Sequence, residues 1–261
     1  MHDDNQPRRE RMLNVPAVVV VLLAVLALIQ AGTVLLLTAQ QTTEFLLLFA
    51  FIPARYDVSV MPDVVWPGGW AADVWTFVTY ALIHGDIGHL VLNGVWLLAF
   101  CSPVARRFGT LRFLAFMVMT AAAGAATHLV THFGELLPMV GASAAISGAM
   151  AAAMRFAFQR GGPLGMLRDS DEAYRVPALS LGASLRDIRV LAFLFVWFGA
   201  NLLFGVGSLG LSMSEQPIAW QAHIGGFLAG LVGFAMFDPV PQSAPADGGS
   251  GSGPDPSPTV H

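Results

Sequence analysis

The segment VPAVVVVLLAVLALIQAGTVLLL, at residues 15–37, decides the class of protein. It contains no charged side chain, and a helix of about 20 mainly apolar residues is long enough to cross a bilayer. Pro16 lies near its start, where a helix does not need the missing N–H. The segment is too long for the core of a signal peptide, and no convincing small-residue cleavage site follows it. It therefore predicts a retained first membrane span.

Composition extends this conclusion to the whole chain. Of the 261 residues, 55% are hydrophobic and 11% are charged, whereas an average soluble domain is roughly 45–50% apolar and about 25% charged. So few charges cannot cover a soluble surface of this size. The composition excludes an ordinary soluble enzyme, a disordered chain and a basic nucleic-acid binder, and it predicts that the lipid bilayer surrounds the protein.

Further apolar stretches predict an all-α, polytopic membrane protein with six transmembrane helices. The five that follow the first span are Ile87–Val104, Phe113–His132, Ser143–Phe158, Val190–Gly207 and Ala219–Phe237. The apolar stretch Glu44–Ile52 is too short to cross. Trp66, Trp70 and Trp75 lie near it in the sequence, and tryptophan prefers the headgroup level. Together they predict a long first outer loop that is partly embedded in the membrane.

The arginines predict the orientation, because all 13 positive residues are Arg. Twelve of them lie on one side of the membrane: before span 1, between spans 2 and 3, and between spans 4 and 5 or at their ends. Only Arg55 lies on the opposite side. The positive-inside rule then predicts that both termini are cytoplasmic. We expect a cytoplasmic segment at 1–14, the six-span body at 15–238, and a Pro-, Gly- and Ser-rich tail at 239–261 that is disordered.

A few polar side chains inside the spans predict the site, since such residues are costly in a membrane and usually have a role. Ser143 opens span 4, His89 and Asn93 lie one turn apart on span 2, and His223 lies one turn into span 6. These three spans run in the same direction, and the helical rise puts their polar groups at one depth, roughly 10 Å below the outer face. A hydroxyl, a base and donors for an oxyanion at one level predict a buried nucleophilic site.

Small residues at four-residue spacing favour a close approach of spans 4 and 6. Span 6 has Ala222, Gly226 and Gly230, and span 4 has Gly148 and Ala152. A hydrogen bond between Ser143 and His223 would require such an approach. Taken alone, the pattern is equally typical of helix packing without any catalytic role, because it is common in membrane proteins.

Three motifs, in this order, resemble those of the rhomboid intramembrane serine proteases. They are His84-Gly-Asp-Ile-Gly-His89-Leu-Val-Leu-Asn93, Gly141-Ala-Ser143-Ala, and Ala222-His223-Ile-Gly225-Gly226. Their order, spacing and span placement match over roughly residues 15–238. The segment Phe51-Ile-Pro-Ala-Arg55-Tyr also resembles the start of the long first loop in bacterial rhomboids.

The resemblance implies a Ser143–His223 dyad that lacks a carboxylate. Ser143 would attack a peptide carbonyl to form an acyl-enzyme, with His223 as general base and then general acid. The Ser143 backbone N–H and the side chains of His89 and Asn93 would hold the oxyanion.

The resemblance further implies supporting roles for three residues: Gly141, which permits a tight entry turn, His84 and Gly226. It implies no metal and no organic cofactor. The substrates would be membrane proteins with one or several spans, cleaved near the outer end of a transmembrane segment. The location would be the inner membrane of a bacterial cell.

Three positions depart from the family pattern. Ala144 stands where the family usually has Gly after the nucleophile, which bears on the backbone shape at the oxyanion site. Trp75-Thr76 replaces a Trp-Arg pair in the first loop, and Ala105 replaces an acidic residue after span 2. The last two predict altered loop or helix-end contacts.

Other polar residues have simpler interpretations. Ser147, a rival nucleophile, is expected to bond the carbonyl four residues earlier. His128 and His132 could bind a metal. Because no third ligand lies at a clear spacing, we interpret them as polar residues at the membrane interface. Asn201 in span 5 predicts an interhelical hydrogen bond.

Two functions other than proteolysis stay open. A rhomboid-like protein could bind membrane proteins without cutting them, although such proteins generally lack the Ser or the His that this chain keeps. A histidine-dependent transporter would predict related halves or paired broken helices, and neither is visible in the sequence.

Overall fold

The computed structural model describes residues 15–164, 171–205 and 219–241. In this part of the chain the only regular structure is helical, apart from one isolated antiparallel bridge between Phe51 and Met139. The all-α prediction is therefore confirmed. Segment 1–14, nearly all of the tail 239–261 and the last two residues of predicted span 5 lie outside the described residues.

The helices follow the predicted spans with small shifts at their ends. In chain order they are α1 (Ala17–Leu36), α2 (Ala39–Phe49), α3 (Gly69–Thr79), α4 (Ile87–Trp96), α5 (Ser102–Phe108), α6 (Thr110–Thr131), α7 (Ser143–Met154), α8 (Leu181–Ser184), α9 (Ile188–Gly205) and α10 (Trp220–Phe237). Short 3₁₀ turns add Pro53–Tyr56, Tyr80–Leu82 and Asp171–Arg175.

Four helical stretches of the described chain are long and apolar enough to cross a membrane. They are Ala17–Leu36, Ile87–Phe108, Thr110–Thr131 and Trp220–Phe237. Helices α7 and α9 stand at the predicted positions of spans 4 and 5, but their apolar stretches are shorter. The structure thus supports an integral membrane protein with four candidate spans, and the count of six stays a prediction.

The second span extends beyond its predicted end at Val104. Helices α4 and α5 are joined by one turn of π-helix, Leu97–Cys101, which makes one stretch from Ile87 to Phe108. Pro103 follows this turn and has no N–H to donate to the preceding turn, which accounts for the widened hydrogen bonding there. Gly109, with φ +75°, ends the stretch.

Arg55, the one arginine that the sequence assigns to the outer side of the membrane, holds the first loop together. Arg55 is buried, donates hydrogen bonds to the carbonyls of Leu47 and Pro67, and pairs with Asp73 at 3.3 Å. Its guanidinium also lies 5.1 Å from the ring centre of Trp66. These contacts tie α2 and α3 together. At 11 residues each, the two helices are too short to cross a bilayer.

The Trp75-Thr76 pair makes its own loop contacts. Trp75 Nε1 donates to the Leu48 carbonyl at 2.7 Å, and Thr76 Oγ1 lies 3.0 Å from the hydroxyl of Tyr56. The Thr76 hydroxyl also donates to the Ala72 carbonyl at 2.7 Å. At Thr76, where the sequence predicts altered loop contacts, the threonine hydroxyl thus contacts the hydroxyl of Tyr56 in the Pro53–Tyr56 turn.

Helices α6, α7 and α10 form the tightly packed centre of the bundle, and glycines set their separation. A Cβ on Gly230 would overlap the backbone of Gly148, and one on Gly226 would overlap the carbonyl of Ala144. The close approach that the four-residue spacing predicts is therefore confirmed. The Ala144 methyl is accommodated by Gly124, where a Cβ would lie only 2.6 Å from it.

A buried ion pair stabilises the end of the bundle that lies opposite to the first loop. Arg107 binds Asp238 through two hydrogen bonds of 2.8 and 2.9 Å, and it donates to the carbonyls of Tyr174 and Val176. Its side chain is fully buried, and that of Asp238 is 4% exposed. Ala105, where the sequence predicts an altered helix-end contact, is itself buried, and that prediction stays a prediction.

Candidate active site

The entry turn of α7 places Ser143 at the start of the helix. Gly141 has φ +118°, and its N–H donates to the Tyr80 carbonyl at 3.0 Å. Glycine adopts this conformation without strain, and a Cβ at this position would lie 2.7 Å from His89 Cε1 and Nε2. The tight turn predicted at Gly141 is confirmed. It leaves the Ser143 N–H in the first turn of a helix, where amides have no intrahelical partner.

Ser143 and His223 are in direct contact across α7 and α10. The distance from Ser143 Oγ to His223 Nε2 is 2.7 Å, and both residues are partly exposed. Gly226, one turn after His223, allows the contact because α10 there rests on the backbone of Ala144. The arrangement joins a hydroxyl to an imidazole nitrogen that can accept its proton.

Asn201 lies on the other side of the same imidazole ring. Its Oδ1 is 2.7 Å from His223 Nδ1, and its Nδ2 donates to the Trp197 carbonyl at 2.9 Å. The sequence predicts an interhelical hydrogen bond for Asn201 but does not identify the partner. The helical rise per residue gives a signal for this partner. Asn201 lies about 20 Å along α9 from Ile188, which puts it at the same depth as His223.

His89 and Asn93 reach the turn that precedes Ser143. Asp86 caps α4 by accepting a hydrogen bond from the His89 N–H at 2.7 Å, which fixes the first turn of the helix. The His89 ring lies against Gly141, and Asn93 Nδ2 is 3.7 Å from where a Gly141 Cβ would be. The Asn93 amide donates to the His89 carbonyl at 3.2 Å. An amide nitrogen has two donors, so a second stays available for a ligand.

His84 packs behind His89. The two rings meet edge to face, with centroids 5.1 Å apart and an interplanar angle of 72°. Within the described residues, neither ring nitrogen of His84 has a hydrogen-bond partner. Burial, with a smaller effect from His89, lowers the pKa of His84 to about 4. His84 therefore contributes a neutral ring that supports His89.

Ser147 has the predicted contact, since its hydroxyl donates to the Ser143 carbonyl at 2.8 Å. The hydrogen bond expected for a serine inside a span is confirmed, and it directs the Ser147 hydroxyl along its own helix.

The rings of His128 and His132 stack on each other at 4.2 Å instead of converging on a common point. In the part of the chain that the structure covers, no group of three His, Cys, Asp or Glu side chains could hold a metal ion.

The chain matches one family model, described as the Rhomboid domain, over residues 71–238. The match runs from within α3 to the end of α10. The matched region contains all the residues described at this site, from His84 to His223. None of the curated proteins compared with the chain matches it.

Proposed function

The chain belongs to the rhomboid family, whose members are generally intramembrane serine proteases, and on this premise we propose that it is such an endopeptidase. One observation carries the proposal, the 2.7 Å contact between Ser143 Oγ and His223 Nε2. A serine hydroxyl is a weak nucleophile until a neighbouring base can take its proton. The contact joins residues 80 positions apart, and it provides such a base at the start of α7.

The proposed reaction has two stages. Ser143 Oγ bonds to the carbonyl carbon of the scissile peptide as its proton passes to His223 Nε2. The tetrahedral intermediate collapses, the C–N bond breaks, and the leaving amine takes the proton from His223. Water then attacks the carbonyl carbon of the ester on Ser143 and loses a proton to His223. The bond from this carbon to Ser143 Oγ breaks, and Oγ takes the proton back from His223. The products are an amine, a free carboxylate and a regenerated serine.

The oxyanion of the intermediate needs donors that are in place beforehand. The N–H of Ser143 is one, because the first amides of a helix are unpaired and the helix dipole favours negative charge there. The side chains of His89 and Asn93 are the others, since both approach the Gly141 turn directly before Ser143.

The substrate that this site suits is a transmembrane segment of another protein. A peptide bond within a helix is not accessible, because its carbonyl is hydrogen-bonded along the helix. Cleavage therefore requires a locally unwound stretch, with small or helix-breaking residues, near the outer end of the substrate's span. We propose that the protein has six spans and lies in the inner membrane of a bacterial cell. The arginine distribution favours cytoplasmic termini.

Labelling with a fluorophosphonate probe tests the proposed nucleophile. In detergent, the folded wild type should become labelled on the peptide that contains Ser143, and Ser143→Ala should abolish the label. Ser147→Ala is the matched control and should label normally, because the Ser147 hydroxyl is bonded within its own helix. A folded wild type that stays unlabelled would favour a non-cleaving membrane-protein binder or a transporter, and a label that survives Ser143→Ala would show that Ser143 is not the nucleophile.

A further inference from the structure

The imidazole of His223 is held at both nitrogens, and the second contact has a chemical consequence. Nε2 lies 2.7 Å from Ser143 Oγ, and Nδ1 lies 2.7 Å from Asn201 Oδ1. A neutral imidazole carries one proton, so one nitrogen donates and the other accepts. Which nitrogen carries the proton decides whether the ring can act as a base toward Ser143.

The second contact of Asn201 determines the orientation of its amide. Asn201 Nδ2 donates to the Trp197 carbonyl at 2.9 Å. The reversed amide would place its oxygen against that carbonyl oxygen, and two acceptors cannot bond. Oδ1 therefore faces His223, and Nδ1 of the ring must be the donor.

We propose that Asn201 is a positioning residue that holds His223 in the tautomer protonated at Nδ1, so that the lone pair of Nε2 faces the Ser143 hydroxyl. This inference rests on the proposed function, and it adds a neutral third member to the dyad. When the serine proton reaches Nε2, the Asn201 carbonyl dipole also stabilises the positive ring. No carboxylate is then needed beside His223, which avoids burying a negative charge in the bundle.

Packing around this contact keeps Asn201 in register with His223. Trp197, one turn before Asn201, stacks on Phe227, one turn after His223, with centroids 4.4 Å apart. Both rings are almost fully buried. Helices α9 and α10 are thus fixed by an aromatic contact directly beside the hydrogen bond, and the acceptor is held in place before substrate binds.

A variant of Asn201 that lacks the acceptor tests this role. Asn201→Leu keeps most of the volume and removes the acceptor, so kcat should fall roughly 10- to 100-fold. KM should be unchanged, because Asn201 contacts His223 and not the substrate. Leu202→Ala, at the exposed neighbour on α9, is the control and should leave kcat unchanged.

An unchanged kcat in a folded Asn201→Leu protein would overturn the proposal. This result would mean that the acceptor oxygen does not act on His223.

The tautomer can also be measured without any reaction. In ¹⁵N-histidine-labelled Ser143→Ala protein at mildly alkaline pH, NMR should show His223 protonated at Nδ1, with His223→Ala used for assignment. A proton on Nε2 would overturn the proposal, whether or not the Asn201→Leu variant folds. This measurement needs no proteolysis, so its failure is distinguishable from a failure of the proposed function, which would appear as undiminished cleavage by Ser143→Ala.

Discussion

Gly226 on α10 lies directly against the carbonyl of Ala144 on α7, with no space for a Cβ between the two helices. Ala144 follows Ser143, and Gly226 lies one turn after His223, so this packing contact is adjacent to the Ser143–His223 hydrogen bond. The distance between the two proposed catalytic side chains is therefore set by a glycine that has no chemistry of its own.

Gly226→Ala should both destabilise the protein and reduce cleavage. The added methyl forces α10 away from α7, and overpacking of this kind costs about 1–3 kcal/mol. Thermal unfolding in detergent and the cleavage rate measure the two effects. Gly199→Ala is the matched control, because open space surrounds Gly199 on α9. Equal behaviour of the two variants would contradict the role assigned to Gly226.

Gly124 and Ala144 should behave as a coupled pair. A Cβ on Gly124 would lie 2.6 Å from that of Ala144, and also 3.0 Å from the Ala222 carbonyl. Gly124→Ala should therefore lower stability, and Ala144→Gly in the same chain should recover part of the loss. A double-mutant cycle with unfolding as the readout measures the coupling, for which neighbours in contact give about 0.5–3 kcal/mol. Simple additivity would mean that Gly124 does not compensate for the methyl of Ala144.

The Arg107–Asp238 pair should stabilise the end of the bundle opposite to the site. Both side chains are buried, and removing one partner of a buried pair costs about 3–5 kcal/mol because the other charge is left uncompensated. Arg107→Met should therefore lower the unfolding midpoint strongly, whereas Arg112→Met, at an exposed arginine of α6, should have little effect. Similar midpoints for the two variants would show that the pair contributes little.

His84 should make the stability depend on pH in the acidic range. Burial lowers the pKa of His84 from 6.5 to about 4, so the unfolded chain takes up this proton at a higher pH than the folded one. The contribution of His84 is therefore fully present above about pH 6.5, and it is lost as the pH falls toward 4. His84→Phe should unfold at a midpoint less sensitive to pH over this window. Parallel pH profiles for variant and wild type would exclude this linkage.

The helices and the common depth of Ser143 and His223 could be predicted from the sequence, because both depend on regular helical geometry, whereas the dyad itself was implied by the resemblance to the rhomboid family. Apolar runs give the helices, and a constant rise per residue puts Ser143, His89, Asn93 and His223 at one depth. The same constant rise places Asn201 of span 5 at the depth of His223, although depth alone does not show that the two side chains meet.

Contacts between distant segments could not be predicted in this way. Arg107 and Asp238 are 131 residues apart, and no local pattern pairs them. The accommodation of Ala144 by Gly124 likewise depends on how α6 packs against α7, which periodicity does not determine. Arg55 is evident in the sequence as an isolated positive charge, but its carbonyl partners in the first loop depend on the folded turn.

Cleavage of a single-span test substrate in liposomes is the most direct test of the central claim, that Ser143 and His223 form a proteolytic dyad. Wild type should cut near the outer end of the substrate span, and Ser143→Ala and His223→Ala should each lower the rate on the order of 10⁴-fold or more. Ser147→Ala and His132→Ala, as matched controls, should cut at close to the wild-type rate. Cleavage that persists in both Ser143→Ala and His223→Ala at the wild-type rate would contradict the account.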